Sequence, residues 1–142
     1  MNQAEQLIAR LGLAPHPEGG HFREIYRHRH ADGDRRGHVT SIYYLLEAGQ
    51  VSHWHRIDAV ELWHFHAGSP LELTVVEEGC SPIRYRLGID LDEDEQPQAT
   101  VPPNAWQSAR SLGAWSLVGC TVAPAFDFAA FELAAPGWSP LG

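Results

Sequence analysis

The sequence contains no lysine. All ten of its basic residues are arginine, set against eighteen Asp and Glu for a net charge of −8. A chain this acidic is a poor match to a phosphate backbone, which argues against nucleic-acid wrapping. Single arginine forks still suit a small anion. Cysteine is scarce too. Cys80 and Cys120 stand forty positions apart with no CxxC pair, which excludes a disulfide framework or a zinc clip and predicts two buried thiols in a reducing compartment. No apolar run approaches the ~20 residues that cross a bilayer, so no membrane partner is expected. The start MNQAEQLIARLGL lacks the basic-then-apolar order of a signal peptide, which predicts a cytoplasmic protein. There is no GxSxG elbow, P-loop or GxGxxG. The acidic run Asp90–Glu95 lacks EF-hand spacing and reads as a solvated hairpin tip.

What is present is one domain's worth of chain, residues 1–142, with one core. One helix is predicted at the start: Asn2 as cap, Glu5 at the capping-box position, an apolar stripe of Leu7, Ile8 and Leu11, and Gly12 and Pro15 as terminators. Beyond it, glycine and proline punctuate short runs rich in aromatic and β-branched residues. These read as strands near 21–28, 38–47, 51–56, 60–66, 70–77, 83–90, 98–101, 106–110, 114–122 and 126–133. Such spacing predicts an all-β sandwich or barrel.

The stretch SHWHRIDAVELWHFHAG (52–68) holds four of the nine histidines. Side chains alternate along a strand, so parity sorts them. His53 and His55 share one face of their strand. On the next, Glu61, Trp63 and Phe65 share a face, and Leu62, His64 and His66 share the opposite one. Two histidines at i and i+2 with a carboxylate from a neighbouring strand form one facet of an octahedral metal site, suited to Fe, Mn, Ni or Zn. The expected inner set is His53, His55 and Glu61, with His64 and His66 outside. Trp63, Phe65 and Trp106 are expected to line the interior as apolar walls.

Gly49-x3-His53-x-His55-x5-Glu61-x6-Gly68 resembles the first cupin motif, and Pro102-Pro103-Asn104-Ala105-Trp106-Gln107 resembles a degraded second one. There Asn104 replaces a glycine and Gln107 takes the place of the last histidine ligand. HPEGGHFREIYR, TSIYYLL and LVGCTVAPAFDFAAFELA extend the likeness from about Leu7 to Ala134, and together they resemble the cupin family DUF985. The resemblance implies a cupin double-stranded β-helix, a jelly-roll barrel with a short N-terminal helix. It also implies a divalent metal (Zn, Mn, Fe or Ni) on His53, His55, Glu61 and Gln107, and a homodimer, for which the outer Leu62, His64 and His66 form a mixed face. GGHFREIY resembles the first segment of nucleotide-sugar epimerases of the superfamily. That implies Phe22 stacking on a ring, Glu24 accepting hydrogen bonds and Arg23 or Arg56 meeting a phosphate.

Three functions stay open at this level. The first is an epimerase or isomerase on a nucleotide-sugar or sugar-phosphate-like small molecule, with His53, His55 and Glu61 as catalytic groups and Phe22, Arg23, Glu24, Arg56, Trp63 and Trp106 around the substrate. The second is a non-haem Fe(II) dioxygenase on a His53/His55/Glu61 triad. The third is a binding or storage protein without catalysis. His16, at the head of HPEGG, and Asp127 read as structural residues, and His28, His30 and His38 as flanking a solvated polar loop.

Overall fold

Asn2 and Gly12 bracket the one α-helix of the computed structural model, which describes residues 1–142. Helix α1 (Gln3–Leu11) starts where the Asn2 side chain accepts a hydrogen bond from the Glu5 amide at 2.8 Å. It stops where Gly12 turns left-handed, φ 66°, a conformation open to glycine without Cβ strain. Leu7, Ile8 and Leu11 pack with Ala4, Leu13, Leu45 and Leu117. The predicted stripe therefore docks the helix on the outside of a sheet.

Eleven strands follow: β1 (Ala14–Pro15), β2 (His21–Arg27), β3 (Thr40–Glu47), β4 (Val51–Arg56), β5 (Val60–Gly68), β6 (Leu71–Val76), β7 (Ile83–Leu87), β8 (Gln98–Val101), β9 (Trp106–Ser111), β10 (Trp115–Ala123) and β11 (Glu132–Leu133). They form two antiparallel sheets, ordered β1-β2-β3-β10-β5-β8 and β11-β4-β9-β6-β7. This is the expected jelly-roll architecture. The core lies between the sheets, where alternate residues from each face the other: Tyr44, Leu46 and Trp63 from the first, Leu71, Leu73, Val75 and Ala109 from the second.

Several expectations shift. Residues 126–133 form no long strand, because Asp127 caps a 3-10 turn (Phe128–Ala130) by accepting from the Ala129 amide and only β11 pairs, with β4. The acidic run is solvent-exposed up to Glu95, whose side chain turns in to pair with Arg86, and it spans no hairpin: β7 and β8 belong to different sheets, and the run carries the crossover between them. Cys80 is exposed, whereas Cys120 is buried. Trp106 does not line the interior. On β9 the inward residues are Gln107 and Ala109, and Trp106 lies outside against Trp138 at 4.7 Å. Asn104 does take the left-handed turn, φ 68°.

Two irregularities re-aim side chains toward one end of the sandwich. The β4–β9 register slips between Ser52 and His55, so Ser52 and His55 are both buried and His53 is not. The β2–β3 register slips between Glu24 and Tyr26, so Arg27 joins Phe22 and Glu24 on the inner side while Tyr26 is exposed. Each is a β-bulge, in which one extra residue inverts the parity beyond it.

Candidate active site

The bulged strands and the turn before β2 enclose a cavity of about 170 Å³, lined by His16, Glu18, Phe22, Glu24, Arg27, His55, Glu61, Cys120 and the aromatic rings of Phe126, Phe128 and Phe131, among others. Most of the wall is apolar, and among its titratable side chains His16, Glu18, His55 and Glu61 lie deepest in the fold.

The turn that carries His16 and Glu18 depends on glycine. Gly19 and Gly20 have φ of 113° and 78°, and a Cβ on Gly19 would sit 2.1 Å from the Val51 carbonyl oxygen. Only residues without a side chain let the backbone approach β4 this closely. The Tyr44 hydroxyl ties the turn down by donating to the Gly19 carbonyl. His53 contributes its backbone amide to the Glu18 carbonyl at 2.7 Å.

Hydrogen bonds fix the protons. His55 Nδ1 lies 2.8 Å from the His53 carbonyl oxygen; a carbonyl only accepts, so Nδ1 carries the hydrogen. The other nitrogen, Nε2, lies 3.1 Å from Glu18 Oε2. Burial holds the Glu18 carboxyl up at about 8, against a smaller opposing effect of the Ser52 hydroxyl, which donates to Glu18 Oε1 at 3.0 Å. Burial also lowers His55. Near neutral pH the pair is therefore uncharged, with the Glu18 carboxyl donating to Nε2. His16 Nδ1 accepts from the Glu18 backbone amide at 3.1 Å, and burial, then the nearby His55, bring it down to about 4. His16 is thus a neutral imidazole with its hydrogen on Nε2, where no protein acceptor meets it.

Glu61 is held differently. Trp63 Nε1 donates to Gln107 Oε1 at 2.9 Å, and Gln107 Nε2 donates to Glu61 Oε1 at 2.9 Å. The indole can only donate, which orients the amide. Burial raises Glu61 to about 7, with His55 pulling the other way. A buried carboxyl that titrates near neutrality, beside a neutral imidazole, is an arrangement suited to moving protons on and off a bound molecule. Burial pushes the Cys120 thiol up, so it keeps its proton near neutral pH and is a poor nucleophile.

Over residues 5–134 the sequence matches the family described as Cupin superfamily (DUF985). The chain belongs to this cupin family. Among solved structures, a protein from Shewanella oneidensis is 40% identical, with TM-score 0.88, covering 95% of this chain and 86% of that one. A hypothetical protein from Leishmania major is 34% identical, with TM-score 0.85, covering 94% and 88%. Bacillus subtilis oxalate decarboxylase at pH 4.6 shares the fold at 15% identity, with TM-score 0.65 over 84% of this chain and 29% of that one. No curated protein matches the sequence. The cupin fold with a lined cavity is consistent with binding a small molecule, and no helix is long and apolar enough to cross a membrane.

In this cupin the expected inner set is divided. His55 and Glu61 face the cavity, but the β4 bulge turns His53 away, where its Nε2 meets the Ala135 carbonyl oxygen at 3.0 Å. Both amide atoms of Gln107 are engaged by protein partners. The quartet His53, His55, Glu61 and Gln107 therefore does not fit a metal, and no three His, Cys, Asp or Glu side chains converge as ligands. Of the residues expected around a substrate, Phe22 and Glu24 line the cavity. Trp63 is wholly buried behind Gln107. Arg23 lies outside, donating to the Leu11 carbonyl at 3.2 Å. Arg56 also lies outside, paired with Glu132 at 3.0 Å and stacked over Trp106. His64 and His66 point out of the sandwich, as parity predicted, with His66 edge-on to Tyr43. His16, Glu18 and Arg27 are the site residues that pattern reading missed. The signal was the double glycine of HPEGG: a histidine and a glutamate leading into two adjacent glycines mark a backbone that must approach another strand.

Proposed function

We propose that this cupin is an isomerase or epimerase that acts by proton transfer on a small carbonyl compound of the nucleotide-sugar or sugar-phosphate kind. The observation that carries the reading is the convergence of His16, Glu18, His55 and Glu61 on one apolar cavity. Glu61, held through Oε1 by Gln107 and raised to about 7 by burial, is the base that removes a proton from the carbon beside the carbonyl. The neutral His16 donates from Nε2 to the oxygen on which enolate charge develops. The Glu18–His55 pair lines the same cavity and holds a proton on Glu18 that can return to the carbon, after which Glu61 passes the proton it took back to the pair. The aromatic rings make the cavity wall apolar, which keeps the carboxyl pKa values raised and protects the enolate.

The test is hydrogen exchange. Sugar phosphates and nucleotide sugars are incubated with the protein in D2O and followed by proton NMR for loss of the C–H signal next to the carbonyl. Exchange that depends on Glu61 supports the reading. If nothing exchanges while iron-loaded protein consumes oxygen, the dioxygenase reading takes its place. Ligand-induced thermal stabilisation with neither activity would leave a binding protein.

A further inference from the structure

Beside the cavity runs a second, open groove of about 530 Å³ whose lining includes Arg27, Arg29, Arg35 and Arg36. Four of ten arginines in a chain of net charge −8 thus gather on one wall. Arg27, Phe126 and Phe128 line both the cavity and the groove, so the two adjoin. The four cations are not equally committed. Arg27 is paired with Glu24 at 2.8 Å, and Arg36 with Asp58 at 2.9 Å. Arg29 and Arg35 are exposed and make no ion pair or side-chain hydrogen bond.

The histidines of the same loop add donors. His28 Nδ1 accepts from the His38 amide at 3.0 Å, and His30 Nδ1 from the Asp32 amide at 3.1 Å, so each ring carries its hydrogen on Nε2. Both rings line the groove. The one carboxylate in the lining, Asp127, is turned to its own backbone, accepting from the Ala129 amide at 3.0 Å. Asp32 likewise accepts from the Asp34 amide at 3.2 Å. The groove therefore presents two free guanidinium forks and two imidazole N–H groups. Phe128, 60% exposed, stands at the junction with the cavity.

We propose that this groove binds the phosphate or diphosphate end of the substrate while its reacting end occupies the cavity. The proposal rests on the isomerase reading for the identity of the cavity, but not for the binding chemistry. Planar guanidinium forks match phosphate oxygens in pairs, and a flat exposed ring beside them suits the base of a nucleoside diphosphate. Arg23 and Arg56, the phosphate candidates of the sequence, are tied to other partners and lie outside the cavity lining.

Isothermal titration calorimetry with inorganic pyrophosphate and with UDP tests this on the full chain, using wild type, Arg29→Gln/Arg35→Gln and His55→Gln. Both arginines are exposed, and a thermal melt verifies that the double variant folds. The expected result is binding of pyrophosphate by wild type and by His55→Gln, and at least tenfold weaker binding by the double variant. UDP binding more tightly than pyrophosphate identifies a nucleoside diphosphate tail; equal affinity identifies a simple phosphate ester. No binding of either probe at millimolar concentration, or equal affinity in the double variant, overturns the proposal. The two readings fail separately: pyrophosphate binding without C–H exchange in any sugar sinks the isomerase, whereas exchange of an unphosphorylated carbonyl compound without phosphate binding sinks the groove.

Discussion

The Nε2 of His55 lies 3.1 Å from the Oε2 of Glu18, with both side chains buried and both pushed toward their neutral forms. An ion pair here would have to offset the desolvation of two charges. A proton held on the carboxyl avoids that cost and still satisfies the imidazole.

This arrangement has a pH signature. Glu18 is raised from 4.5 to about 8 and Glu61 from 4.5 to about 7. Between pH 6.5 and 8 the native state therefore holds protons that the unfolded state has released, and stability falls as pH rises. Below pH 6.5 the opposite contribution enters from His16, lowered to about 4, which weakens the fold as pH falls. Over pH 6.5–8 the loss should be about 1–2 kcal/mol, at roughly 2–4 °C in Tm per kcal/mol. Glu18→Gln should flatten that slope in a calorimetric pH series. An unchanged slope would show that Glu18 is ionised in the native state.

Glu61→Gln keeps the shape and an oxygen for Gln107 but removes the base. C–H exchange should fall by about 10²–10⁴-fold with Tm nearly unchanged. Retained exchange in this variant would move the base elsewhere in the cavity.

Gln107→Leu leaves the Trp63 indole N–H and one Glu61 oxygen without partners in the core. Two orphaned buried groups cost on the order of 2–5 kcal/mol together. The urea midpoint should shift down with little change in m. A midpoint within the error of wild type would mean that water or another side chain replaces the amide.

His53→Ala should be mild. Its ring bonds only the Ala135 carbonyl, a contact worth about 0.5–1.5 kcal/mol, and exchange should stay within about twofold of wild type. His55→Ala should remove activity. A large loss of exchange in His53→Ala at normal Tm would return His53 to the site.

We also expect a homodimer. Leu62, His64 and His66 form a mixed, partly exposed outer face on β5, the kind of surface that a second copy can cover. Light scattering at micromolar concentration decides it, and a monomer mass there removes the expectation.

Local signals carried the elements, and long-range contacts carried the site. The helix was legible because Asn2 and Gly12 act on their own neighbours, and β5 because its alternation is unbroken from Glu61 to Phe65. The resemblance of the paired-histidine stretch and its companions was enough for the family and the jelly roll. The face on which His53 lies was not legible: parity holds only while register holds, and the bulge in β4 is set by its pairing with β9. The same applies to Arg27 beyond the bulge in β2. His16 and Glu18 looked like turn residues because their burial comes from the close approach of Gly19 to β4, a contact between segments more than thirty positions apart. By itself the sequence determined most of the strands and the stretch that supplies His55 and Glu61. Tertiary structure alone decided which of its histidines faces the cavity, because one inserted residue in a strand reverses every side chain beyond it.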